Sequence, residues 1–111
     1  MLFLVSGEWV EPGALLPAEQ LPPILEQVVL PSLEMLAGWE EQGKVHGGVF
    51  AGERAGAWVV EAASGEEIGQ LLTSLPFWGL VKWQVRPLQS ARSTAERDRR
   101  VAEQIKAMVG R

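Results

Sequence analysis

The chain has no cysteine, no tyrosine and a single histidine, His46. Without cysteine there is no disulfide framework, no thiol chemistry and no thiolate metal site. One histidine alone supplies no metal-ligand spacing, so a metal centre would have to be built from carboxylates. No apolar run approaches the ~20 residues of a membrane span. The apolar start, Met1 to Val5, has no basic residues before it and gives way at once to Ser6, Gly7 and Glu8. It is too short for a signal sequence, and a soluble, cytoplasmic protein is expected. Positive charge is also scarce over most of the chain. Residues 1–91 hold four basic and eleven acidic side chains, a net −7, whereas residues 92–111 hold six basic and three acidic, a net +3. An acidic body argues against nucleic acid as a partner, because phosphate contacts need clustered Lys and Arg. No glycine-rich phosphate loop leads from a strand into a helix, and no serine forms a nucleophile elbow with His46.

What is present is a core. Apolar residues make up 47% of the 111 positions, which excludes disorder. The length suits one domain, near the size at which partners often contribute. Five tryptophans, Trp9, Trp39, Trp58, Trp78 and Trp83, are many for so short a chain. Such residues usually fill cores and interfaces.

Residues 2–10 (LFLVSGEWV) predict a strand whose first half is apolar on both faces. Glu11, Pro12 and Gly13 break it. A helical pattern follows from Ala14 to Gln42, with Pro17, Pro22 and Pro23 suited to a loop or first turn. Leu25, Val29, Leu33 and Leu36 keep one face apolar, and Gly43 stops the helix. Pro31 lies inside this run and must kink or split it, because its ring clashes with the carbonyl of Gln27. Lys44–Phe50 and Ala57–Ala62 predict a hairpin across AGERAG, with Gly52 and Gly56 giving turn freedom. The second of these strands is again apolar on both faces. Ser64 and Glu67 have capping-box spacing, and Ile68, Leu71, Leu72 and Leu75 form a helical stripe that Pro76 ends. Leu80–Leu88 predicts the last strand, with Val81, Trp83 and Val85 facing one way and Lys82, Gln84 and Arg86 the other.

Strand, helix, two strands, helix, strand is the ferredoxin-like βαββαβ order: an α+β fold with a four-stranded antiparallel sheet and two helices on one face. Two helices cover only one face, yet the first and third strands are apolar on both. A second copy of the chain, packed sheet on sheet or closed into a shared dimeric α+β barrel, is the expected cover, giving at least a homodimer. Residues 1–88 form the expected domain. Residues 89–111 form a helical extension capped at Ser93 or Thr94, either a partly ordered tail or a helix swapped across the dimer.

The helix–turn–strand from Leu71 to Leu88 resembles the muconolactone isomerase-like family, on Leu75-Pro76-Phe77-Trp78 and then Val85-Arg86-Pro87-Leu88. Met1-Leu2-Phe3 and the helix end at Gln42-Gly43-Lys44 also fit, so the resemblance covers about residues 1–88. It implies a ferredoxin-like fold assembled as dimers, sometimes into larger rings. It further implies cofactor-free movement of a carbon–carbon double bond in a small unsaturated lactone acid, in aromatic catabolism. The segment Ser6 to Pro12 and the tail after Leu88 depart from the enzyme's pattern, and no catalytic residue carries over by motif.

Cofactor-free isomerisation needs a base to take a proton beside a carbonyl and an acid to return it elsewhere. His46 can shuttle protons near neutral pH, though a lone strand histidine is more commonly a surface residue. The adjacent Gly47 and Gly48 either admit a ligand to the backbone or mark a bulge. Glu8 and Glu61, near strand ends, are the carboxylate candidates, and would act as bases if seated among apolar rings; the plainer alternative is solvation. Lys82 and Arg86 share a face and suit either a substrate carboxylate or the acidic groups of a partner subunit. Trp9, Trp58 and Trp78 are candidates for lining a pocket, with core filling as the alternative.

Three functions compete. The first is a cofactor-free isomerase or cyclase on a small unsaturated or aromatic-derived acid or lactone. The second is a non-catalytic oligomeric or small-molecule-binding module, and the third a cofactor-independent monooxygenase of the same barrel. A cavity above ~300 Å³ favours an enzyme over a solid assembly module.

Overall fold

The computed structural model describes residues 1–10 and 17–110; the expected break at 11–13 and the expected helix start at Ala14 lie outside them. Four strands, β1 (Leu2–Trp9), β2 (Val45–Val49), β3 (Ala55–Glu61) and β4 (Val81–Leu88), form one sheet in the order β2-β3-β1-β4. All neighbouring pairs are antiparallel. This is the ferredoxin-like arrangement expected from the order of elements.

Alternation along each strand decides the faces. Phe3 and Val5 of β1 pair with Val60 and Trp58 of β3, and Val45 of β2 pairs with Val60. All five are buried, together with Leu36 of α2 (Leu30–Glu41) and Ile68 and Leu72 of α3 (Gly65–Thr73). Both helices therefore cover the same face. The opposite face carries Leu4, Ala57 and Val59 among Glu8, Glu61, His46, Lys82 and Arg86, and no element of the described residues packs over it.

The helix ends follow local chemistry. Ser64 caps α3 by accepting from the N–H of Glu67, and the Glu67 carboxylate accepts from the N–H of Ala63 at 2.8 Å. At the end of α2, Gly43 takes φ +73°, so that its N–H reaches the Glu40 carbonyl and that of Lys44 reaches Trp39. These two bonds make a Schellman cap.

The expected conflict at Pro31 is resolved without a break. A short 3₁₀ turn (Ala18–Gln20) leads into α1 (Leu21–Ile24), and a π-turn (Leu25–Val29) joins it to α2. In that turn the Leu30 N–H donates to Leu25, five residues back. The wider turn accommodates a residue that cannot donate and crowds the preceding turn. Ser32, fully buried one position later, donates to the Val28 carbonyl at 2.7 Å and accepts the Phe77 N–H at 2.9 Å. One hydroxyl thus ties the helix to the turn after α3.

Two local expectations are corrected. Gly56 lies inside β3 and not in the turn; a Cβ there would sit 2.6 Å from the Trp58 ring. The C-terminal segment is a 19-residue helix, α4 (Ala91–Val109), and its cap is Ser90, whose hydroxyl accepts from Ser93, in place of Ser93 or Thr94. None of its residues is buried. The molecule consequently extends 72 Å with a radius of gyration of 19.6 Å, against about 13 Å for a compact chain of this size. No described helix is long and apolar enough to cross a membrane.

Candidate functional site

A pocket opens between the sheet and the helix layer, at the end of the sheet where β1 finishes. Its walls are aromatic: Trp9 from β1, Trp58 from β3, Trp83 from β4, and Phe77 from the turn after α3. Val29 and Leu33 close it from the helix side. Its volume is about 110 Å³, of the order of the ~150 Å³ cavity that takes up one benzene ring. That is below the ~300 Å³ typical of drug-sized ligand sites.

The floor depends on a pair of glycines. Gly7 of β1 faces Gly56 of β3 across the ladder. A Cβ on Gly7 would lie 2.8 Å from Trp83 and from Val81, and one on Gly56 would strike Trp58. The two missing side chains let the two indoles lie over the strands. Phe77 and Trp83 meet edge to face at a centroid distance of 6.1 Å.

Two of the indole N–H groups are already engaged. Trp58 Nε1 donates to Glu40 Oε1 at 2.8 Å, and Trp83 Nε1 donates to the Trp78 carbonyl at 3.1 Å. Trp58 and Trp83 therefore offer ring faces and no free N–H donor. Charge enters at the rim, from Glu53 and Arg54 in the β2–β3 turn. The Trp9 backbone N–H donates to the Arg54 carbonyl at 2.9 Å, and the Arg54 guanidinium lies over the Trp9 ring, 5.7 Å from its centroid. The site is thus an aromatic slot with one ionic edge, able to hold a flat ring and bind an anionic substituent.

Of the residues singled out in the sequence, Trp9 and Trp58 line this pocket. Trp78 is 47% exposed and contributes only its carbonyl, to Trp83. His46, on the edge strand, is exposed, pairs with Val59 and lies on the uncovered face. Glu61 is also exposed there, with Oε1 4.0 Å from the Met1 amine. Glu8 and Lys82 are cross-strand neighbours on that face, where they border a more polar hollow of about 170 Å³ with Ser6 and Gln84. Arg86 shares the face, opposite Leu4. Gly47, with φ +152°, makes no bulge: the β2–β3 ladder runs unbroken through it. No cluster of metal-binding side chains occurs among the described residues.

No protein-family model and no curated protein sequence matches the chain. Among solved structures it is similar to 5-chloro-2-hydroxyhydroquinone dehydrochlorinase from Burkholderia phenoliruptrix, determined in complex with 2,5-dihydroxybenzoquinone. The two are 20% identical with a TM-score of 0.56, over 84% of this chain and 98% of that one. At that identity the likeness concerns the fold. It supports the ferredoxin-like α+β fold expected from the order of elements, without a sequence family.

Sequence reasoning missed Glu53, Arg54, Trp83 and Phe77 as site residues. Trp83 and Phe77 stood in a strand and a turn that served only to define the fold. Glu53 and Arg54 read as turn residues. The available signal was their place at a hairpin tip next to a strand that ends in Trp9, a juxtaposition that emerges only once β1 is paired with β3.

Proposed function

We propose that the protein is a cofactor-free enzyme acting on a single-ring, unsaturated or aromatic-derived acid or lactone, of isomerase or cyclase type. The observation that supports it is the slot of Trp9, Trp58, Trp83 and Phe77 with ionic groups at one rim only. The ring stacks among the aromatic walls, and Arg54 holds its carboxylate or enolic oxygen. The Glu53 carboxylate removes a proton beside the carbonyl. Electron density then moves through the conjugated system onto oxygen next to Arg54, and Glu53 returns the proton at a more distant carbon, shifting the double bond. Atoms and charge balance with no external oxidant. The ligand named for the structural neighbour, 2,5-dihydroxybenzoquinone, belongs to the single-ring class proposed here.

The test is titration of tryptophan fluorescence with 2,5-dihydroxybenzoquinone, and solvent-deuterium exchange into an unsaturated lactone acid followed by NMR. Binding with exchange, and loss of exchange in Glu53→Gln with binding retained, supports the reading. Binding without exchange leaves the second reading, a non-catalytic small-molecule-binding module; the pocket volume of about 110 Å³ falls short of the ~300 Å³ that would favour an enzyme over an assembly module. No binding of any single-ring acid removes both.

A further inference from the structure

We propose that α4 is an intermolecular arm that docks on the acidic body of a second copy of this chain. Three independent features support it. First, the helix is built to pack yet packs on nothing: Val101, Ile105 and Met108, at spacings of four and three, form an apolar stripe and are 42%, 55% and 74% exposed. A surface helix normally buries such a stripe.

Second, the joint holds the helix away from its own body. Only Gln89 and Ser90 separate β4 from α4. Both are hydrogen-bonded into the first turns: the Ser90 hydroxyl accepts from the Ser93 N–H, its carbonyl takes the Thr94 N–H and hydroxyl, and the Gln89 amide donates to the Ser93 hydroxyl. A capped two-residue joint leaves no slack for α4 to fold back, so its stripe meets another chain.

Third, charge selects among candidates. Residues 91–109 carry five basic and three acidic groups, a net +2, against −7 for residues 1–91. Two α4 helices repel each other, whereas α4 and a body attract. An anionic lipid surface would attract the helix but repel the body, and the stripe lacks the Trp or Phe with which interfacial helices anchor. The same chain also presents uncovered apolar groups, including Leu2, Val49, Phe50 and Leu88.

The absence of cysteine permits a clean test. A benzophenone placed on Gln104→Cys, at the edge of the stripe, is activated in a mixture of ¹⁴N and ¹⁵N chains. Light-to-heavy crosslinks from position 104 to residues 1–88 are expected. Val101→Asp with Ile105→Asp should raise the dissociation constant of the assembly at least about tenfold, and added salt should weaken association of the unaltered chain. If that double variant does not fold, the crosslink and salt results on otherwise native chains still decide. Crosslinks confined to α4–α4 pairs, crosslinks within one chain, a monomer at high concentration, or capture by phosphatidylglycerol vesicles in place of self-association would each overturn the proposal.

Discussion

Replacing Ser32 with alanine should cost far more than one surface hydroxyl. Ser32 is 0% exposed, and its Oγ both donates to Val28 and accepts from the Phe77 N–H. Without it the Phe77 N–H, in a residue 8% exposed, has lost its acceptor. An orphaned buried donor costs about 1–3 kcal/mol, to which the lost bond to Val28 adds about 1. A net loss of about 2–4 kcal/mol follows, a large part of the 5–15 kcal/mol of a typical domain. At roughly 4 °C per kcal/mol for a domain of this size, the melting temperature should fall by about 8–16 °C. Urea unfolding followed by circular dichroism should show the midpoint shifted with the slope unchanged. Thr73→Ala is the control: its exposed hydroxyl donates to Gln70, and the loss should stay within about 0.5 kcal/mol. Because Phe77 also lines the pocket, Ser32→Ala should alter the near-ultraviolet signal of Trp83 as well. A stability loss indistinguishable from Thr73→Ala would refute the reasoning, since the hydroxyl would then not be what satisfies Phe77.

Further outcomes follow from other positions. Gly7→Ala, whose Cβ would lie 2.8 Å from Trp83, should displace that indole. A cost of about 1–3 kcal/mol in urea midpoint and weaker ring binding by fluorescence titration are expected. Ser64→Ala should cost about 1 kcal/mol by thermal melting, since it removes the acceptor for the Glu67 N–H. Gly43→Ala, at φ +73°, should cost about 1–2 kcal/mol through left-handed strain, read from the same melts. Arg54→Gln should weaken binding of an anionic ring by about tenfold or more while leaving a neutral ring nearly unaffected, as measured by calorimetry.

The fold was legible because its signals are local. Ser64 and Glu67 announce α3, Gly43 ends α2, and the alternation of Val81, Trp83 and Val85 marks β4 without reference to the rest of the chain. The site was less legible because its parts are brought together by pairing between β1, the β2–β3 turn and β4. Trp83 rather than Trp78 faces the slot, a distinction set by where the strand resumes after the Phe77 turn. His46 is the residue type most often associated with proton transfer, yet its strand position places it on the uncovered face. Ser32 carried no motif, since its role arises from the π-turn that Pro31 requires and from a turn forty-five residues away.

That π-turn has a consequence for how the chain tolerates changes in length. Leu25–Val29 holds one residue more per turn than an α-helix uses. Deleting a single residue there would press α1 and α2 into one regular helix, bringing the Pro31 ring against the carbonyl four residues back and disturbing the buried Val29. The same deletion between Leu33 and Trp39 would rotate one part of the packing face by about 100° away from the sheet. The extra residue of the turn is thus the room that lets a proline sit inside a continuous helix, directly upstream of the buried serine.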